Sequence, residues 1–121
     1  MKIEDLRNVI ASYSYRHHSE KDLQDALEYI FKINKIDFSR EYRIDNANIL
    51  DFLVTIEDQK CGIEVKIGGA QNDLLRQISR YLRSDKIDCI FVVGTPFWVN
   101  NLPATLCDKP IYVHRIMRGI F

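Results

Sequence analysis

Residues 49–67 read "ILDFLVTIEDQKCGIEVKI". Two runs rich in β-formers flank a short polar stretch, the pattern of a β-hairpin. Three charges interrupt the runs: Asp51 in the first, Glu64 and Lys66 in the second. A strand that only filled a core would carry Val, Ile or Leu there. Side chains alternate along a strand, so Glu64 and Lys66 share a face. Taking "EDQK" as the loop pairs Ile56 with Cys61, Leu53 with Glu64 and Asp51 with Lys66. Asp51 then lies diagonal to Glu64, about 7–8 Å away backbone to backbone, and all three project to one side. A register slip of one residue would send Asp51 to the opposite face.

Working outward, Ile3, Leu6, Ile10 and Tyr13 recur at helical spacing and predict a helix over 2–15. "SYRHHS" reads as a connection holding His17 and His18. Ser19, with Asp22 three residues on, reads as the N-cap of a second helix over 20–34, whose apolar face is Leu23, Ala26, Leu27, Ile30 and Phe31. "EYRI" is a short strand. After the hairpin, "GGAQN" breaks the chain, with Asn72 as a possible cap. Leu74, Leu75, Ile78, Tyr81 and Leu82 mark a helix up to Arg83. "IDCIFVVG" is an apolar run of strand length, suited to a central strand covered on both faces. "FWVNNLPATLC" reads as irregular or helical, and "IYVHRI" as a last strand. The order α-α-β-β-β-α-β, with a further strand, predicts an α/β fold: a mixed central sheet flanked by helices.

The chain of 121 residues reads as one domain, with 46% apolar and 28% charged residues, and is long enough to bury a core without staples. Its apolar runs are too short to span a bilayer. "MKIEDLRNVI" lacks the apolar stretch of a signal peptide, so the sequence predicts a cytoplasmic protein. Cys61, Cys89 and Cys107 form no CxxC; Cys61 and Cys89 sit in apolar runs and read as buried hydrophobes. A formal net charge of zero excludes a protein that grips nucleic acid by bulk charge alone. Local basic groups remain: Arg76, Arg80, Arg83 and Lys86, and His114, Arg115 and Arg118.

Two carboxylates converging with a lysine are the parts of a phosphodiester-hydrolysing site. Oxygen ligands from Asp and Glu, left partly open, suit Mg²⁺ or Mn²⁺. Such an ion polarises a phosphoryl oxygen and acidifies a bound water, and a nearby Lys holds that water or offsets developing charge. The plain alternative is a cross-strand ion pair between Asp51 and Lys66 on a solvated face, with Glu64 incidental. What separates the two is setting: the order of strands, the hairpin length, and polar residues on both flanking helices.

With "LD" at 50–51, "EVK" at 64–66 and "QISRY" at 77–81, the sequence resembles the PD-(D/E)xK nuclease superfamily. Leu50 stands where the family name has proline, a replacement common among diverged members. The resemblance covers 19–95 and implies a restriction-endonuclease-like αβββαβ core, with 1–18 as an extra N-terminal helix and 96–121 as a C-terminal extension. It implies that Asp51 and Glu64 ligate Mg²⁺ (or Mn²⁺), with the Val65 carbonyl as a third ligand, and that Lys66 positions the attacking water. Glu20, in "SEKDLQDAL", would be a secondary metal or water ligand. Gln77 would orient Lys66 or contact substrate, and Tyr81 would support the site.

Each supporting residue also has a structural reading. Glu20 suits a helix start, Gln77 a solvated helix face, and Tyr81 the apolar face of its helix. Arg76, Arg80 and Arg83 lie on one stripe and read either as phosphate contacts or as a solvated face. The amides at Gly68 and Gly69 read as a phosphate contact or a plain turn. Trp98 reads as packed rather than stacked on bases. The expected function is metal-dependent hydrolysis of DNA, with DNA specified by the resemblance alone. A small catalytic core further suggests a homodimer or a delivery partner. The competing expectations are a nuclease-fold protein that binds nucleic acid or a protein without cutting, and an assembly subunit whose charges are surface pairs.

Overall fold

The computed structural model describes residues 1–15 and 19–117. His17, His18 and Arg118 lie outside the described residues. The elements in chain order are α1 (Ile3–Ala11), α2 (Glu20–Ile33), β1 (Phe38–Arg43), β2 (Ile49–Ile56), β3 (Gln59–Lys66), α3 (Gln71–Leu82) and β4 (Cys89–Gly94), then a 3₁₀ turn (Phe97–Asn101), β5 (Thr105–Leu106) and β6 (Lys109–Arg115). The strands form one mixed sheet in the order β1-β2-β3-β4-β6-β5. The β1–β2 and β2–β3 pairs are antiparallel, β3–β4 and β4–β6 are parallel, and β5 runs antiparallel to β6.

Every residue of β4 is buried. Its near-continuous apolar run is what a strand needs when both faces are covered and both edges paired. One face meets α1 and α2: Leu6, Ile10, Leu23, Leu27 and Phe31 pack on Phe52, Ile63, Val65 and Phe91. The other meets α3, whose Leu74, Ile78, Tyr81 and Leu82 pack on Leu53, Ile90, Val92 and Ile111. Trp98 belongs to this second layer, and its indole N–H donates to the Gly69 carbonyl at 3.3 Å. Cys61 and Cys89 are buried Cα partners across β3 and β4. Among the described residues no helix is long and apolar enough to cross a membrane.

The helix ends follow local chemistry. Ser19 caps α2, its Oγ accepting from the Asp22 N–H at 3.1 Å. α1 stops at Ala11, short of the expected 15, because the chain folds back there: the Tyr15 hydroxyl donates to the Ile10 carbonyl at 2.7 Å. Ala70, not Asn72, is the N-cap of α3. Gly69, at φ +89°, makes the preceding turn, a conformation that favours glycine.

The hairpin is tighter than the sequence suggested. Its turn is Glu57 and Asp58 alone, and Gln59 and Lys60 already belong to β3. Lys60 is fixed there by Asp88, the residue before β4, since its N–H donates to Asp88 Oδ2 and its carbonyl accepts from the Asp88 N–H, both at 2.8 Å. The register therefore runs Ile56↔Gln59 to Phe52↔Ile63, two residues from the expected pairing. A shift of two keeps every side chain on its face, but its continuation sets Asp51 opposite Glu64 rather than Lys66.

Alternation also breaks once in β1 and β2. Phe52, Val54 and Ile56 face the α1/α2 layer, yet Leu50 joins the α3 layer, as does Tyr42 on β1. Between them in register lie Glu41 and Asp51. Glu41 has φ +55°, a left-handed residue that re-aims the strand. Leu50 then fills the space over Gly62, where an added Cβ would meet its methyl carbons at 2.9 Å.

Gly94 is the second close approach. A Cβ there would lie 2.5 Å from the Lys66 carbonyl oxygen, a backbone atom that cannot swing away. Gly94→Ala is expected to lower unfolding free energy by about 1–3 kcal/mol, the usual cost of overpacking. Urea denaturation checks this; an unchanged midpoint would show that β3 and β4 separate freely at this pair.

Candidate active site

The β2–β3 ladder ends at Phe52↔Ile63. Beyond it, side chains take over from backbone pairing. Glu64 Oε1 accepts the Asp51 N–H at 3.2 Å, and Asp51 Oδ2 accepts the Val65 N–H at 2.7 Å. Each carboxylate satisfies a donor on the opposite strand and keeps its second oxygen free of that bond. In a strand the N–H and C=O of one residue point to the same neighbour. The Val65 carbonyl therefore faces the opening on the Asp51 side, past the last ladder pair.

Glu64 is only 2% exposed, the one charged side chain among the buried residues described. Burial pushes its carboxyl well above the ordinary range, and the charge of Asp51 adds to this. Asp51 is also raised by burial, against the Val65 N–H and the Lys66 ammonium, which favour its charged form. Lys66 lies two residues past Glu64 at the end of β3 and is half-buried. Its carbonyl accepts from the Thr95 N–H at 3.0 Å, while the Thr95 hydroxyl donates to the Ile67 carbonyl at 3.0 Å. The segment after β4 thus anchors the backbone that carries the lysine.

Glu20, the first residue of α2, reaches the same end of the sheet. Its Oε1 lies 3.5 Å from the Ile67 N–H, and its charge is felt by both Asp51 and Glu64. Gln77 donates to the Tyr81 hydroxyl at 2.8 Å, which donates in turn to the Ile49 carbonyl at 3.0 Å. Burial pushes the Tyr81 hydroxyl up to about 12, with Glu64 adding, so the phenol stays a donor. This pair braces the start of β2, two residues from Asp51; the hydrogen bond of Gln77 goes to Tyr81 rather than to Lys66.

The arginines of α3 are partly committed. Arg76 pairs with Asp73, Arg80 donates to Asn48 Oδ1 at 3.3 Å, and Arg83 is the exposed C-cap. On β6, His114 is half-buried, and desolvation with the nearby Arg7 charge holds it below its ordinary value. Arg115 donates from Nε to the Thr95 carbonyl at 3.2 Å. An open cleft of about 520 Å³ lies away from the carboxylates, lined by Tyr42, Leu53, Lys60 and Lys86 among others.

Two participants escaped the sequence reading. Gln24 on α2 is near enough to Asp51 to favour its charged form, and Arg40 holds Gln24 from β1 at 3.1 Å. The spacing of four from Glu20 was the available signal for Gln24; nothing in "EYRI" and its neighbours marks Arg40.

Among the described residues, no three of His, Cys, Asp and Glu gather as a metal-binding group. What converges is two desolvated carboxylates and a strand carbonyl. That all-oxygen set fits a hard divalent cation with water completing its shell. No family model, curated protein or solved structure matches the chain.

The buried acids give a pH dependence. Both are raised in the folded state, so the native protein binds more protons than the unfolded chain above the ordinary carboxylate range, near pH 4. Metal-free stability should fall as pH rises from there through the raised value of Glu64. Glu64→Gln keeps an acceptor for the Asp51 N–H and removes the charge. In chelator, it is expected to raise stability at pH 8 by about 1–2 kcal/mol and to flatten the slope between pH 5 and 8. Urea unfolding across that range checks this; a wild-type profile that rises with pH would contradict it.

Proposed function

We propose that this chain is a metal-dependent nuclease with a restriction-endonuclease-like core, hydrolysing DNA phosphodiester bonds as a member of the PD-(D/E)xK superfamily. The observation that carries the reading is the reciprocal bonding of Asp51 and Glu64 across the open end of the β2–β3 hairpin, with Lys66 two residues beyond. A structural ion pair needs one acid and one base. Two acids sunk beside each other, each raised by burial, are costly unless a cation joins them.

In this reading Asp51, Glu64 and the Val65 carbonyl hold Mg²⁺ or Mn²⁺, with Glu20 as an outer acid that acts through water. The ion supplies Lewis acidity toward a phosphoryl oxygen and lowers the pKa of a water. Lys66 donates to the attacking water, favours its hydroxide form, and offsets charge on the phosphoryl oxygens as the bond to the leaving oxygen breaks. Water adds to phosphorus, the ester oxygen leaves with a proton, and a phosphomonoester and a free hydroxyl remain. Gln77 and Tyr81 hold β2 so that Asp51 keeps its place. Arg80 and Arg83, on the exposed side of α3, serve neighbouring phosphates, with Arg76 available once released from Asp73. DNA as the polymer, an endonucleolytic mode and a homodimer or delivery partner belong to the same proposal, resting on resemblance and on the small size of the core.

A second reading, a nuclease-fold protein that binds nucleic acid or a partner without cutting, draws on one observation. The third acid common to strong metal sites is not gathered with the other two among the described residues.

Incubation with supercoiled, linear, single-stranded and four-way-junction DNA in Mg²⁺ or Mn²⁺ separates the two. Cutting that needs the ion and falls at least about 100-fold in Lys66→Ala and Glu64→Ala is expected. Mn²⁺ should also raise the melting temperature of the wild type but not of Glu64→Ala, since it binds only the folded site. DNA binding without cutting, indifferent to both substitutions, would favour the second reading.

A further inference from the structure

Arg7 projects from α1 onto β6, its guanidinium over the Tyr112 ring, 5.8 Å from the centre. Stacking of this kind holds the planar group in place. The guanidinium nevertheless lacks an acceptor. Its Nε is buried with no hydrogen-bond partner, and no carboxylate among the described residues forms an ion pair with it. Glu4, one turn earlier on α1, is felt by Tyr112 and still makes no such pair. Arg40, by contrast, meets two acids. Buried donors in folded proteins are nearly always satisfied, and one that is not calls for a partner. His114 lies two residues past Tyr112 on β6, so the two side chains share the face on which α1 packs. It is half-buried, and its imidazole feels the Arg7 charge. Two groups that carry or can take positive charge thus converge with no acid paired to either among the described residues.

We infer that Arg7 and His114, backed by the Tyr112 ring, form an anion site for a phosphate group on the α1 side of the sheet. A guanidinium held flat presents its N–H groups as a fork that fits two phosphate oxygens, and an imidazole N–H beside it fits a third. The site lies at the same end of the sheet as the carboxylates. His114 is the register partner of Val93, and Val93 of Val65. Two strand spacings, about 10 Å, separate the backbone of His114 from that of Val65, which is about three base steps along one strand of a duplex. A nucleic-acid strand crossing this end of the sheet would set one phosphate on Arg7 while another meets the carboxylates. The anion site stands without the metal-dependent reading; only the assignment of its phosphate to a nucleic-acid strand rests on that reading.

Two measurements in chelator test this, so neither depends on whether the carboxylates hold an ion or cut. The first probe is inorganic phosphate, read by NMR titration of the His114 imidazole. An anion bound beside the ring favours its charged form. Phosphate is therefore expected to raise the His114 pKa above its value in chloride of equal ionic strength, which controls for screening. In Arg7→Gln the two salts should act alike. A wild type that does not tell them apart, or a difference that survives Arg7→Gln, would overturn the site. The second probe is a short DNA duplex. Arg7→Gln is expected to weaken it about tenfold and to lower the slope of log affinity on log salt by about one, the loss of one phosphate contact. Arg7→Lys keeps the charge without the fork and should keep the slope. Weaker binding of Arg7→Gln at the wild-type slope marks a loosened fold and counts against the strand. Phosphate recognised at Arg7, with duplex binding absent or indifferent to the substitution, leaves the anion site standing, assigns it to a free phosphate and counts against the nucleic-acid reading.

Discussion

Where β2 and β3 part, two backbone N–H groups lose the strand partner that ladder pairing would have given them. Buried and unpaired, each would cost about 1–3 kcal/mol. Asp51 and Glu64 supply the missing acceptors, each reaching across the gap to the other strand. The separation of the strands and the burial of the acids are therefore one event. If the strands stayed zipped to the end, neither carboxylate would have a backbone donor to accept. If the acids were absent, the opening would have no means of satisfying its backbone. Other contacts of the site serve this junction: Tyr81 braces β2 just before it, Thr95 fixes β3 just after it, and Glu20 and Gln24 line it from α2.

The charge balance around the junction is lopsided. Several cations that might have answered the acids are occupied elsewhere. Arg40 is matched by Asp25 and Glu28, Arg76 by Asp73, and Lys86 donates to the Ile44 carbonyl at 2.9 Å. Lys66 is the ammonium whose charge both Asp51 and Glu64 feel. One lysine against two desolvated carboxylates leaves negative charge in a poorly solvated place, a state a fold keeps only where other contacts over-determine it. On the proposed reading, that residue of charge is what a divalent cation answers; in its absence the native state carries the strain as a loss of stability toward neutral pH.

The legible part of this fold was its parity and its sequence of elements. The expected hairpin was off by two residues, which left Glu64 and Lys66 on their common face, because side-chain direction in a strand repeats every two residues, but exchanged the partner of Asp51 from Lys66 to Glu64. The loop length was misread because Gln59 and Lys60 look like turn residues; they are strand because Asp88, nearly thirty residues later, holds the Lys60 backbone. The face switch at Glu41 was equally hidden, since a positive φ there is marked by no glycine. Glu20, Gln77 and Tyr81 could be picked out by helical spacing from a recognised pattern. Arg40 could not, because its role depends on how α2 lies across β1, a tertiary fact with no local signature.

β3 is the strand shared by two kinds of pairing, antiparallel to β2 and parallel to β4. The start of β2 is thereby brought to the same edge of the sheet as the ends of β3, β4 and β6, and carboxyl ends of parallel strands are where ligands gather in open α/β sheets. The two-residue turn matters for this. Strands of eight residues on either side of it set the third residue of one opposite the sixth of the other, far enough from the turn for the sheet twist to open a gap. A turn of four residues in the same sequence would have set Asp51 against Lys66, closing an ordinary ion pair. The difference between a cross-strand salt bridge and a pair of facing acids is thus made at Glu57 and Asp58, far from either, by the length of a loop.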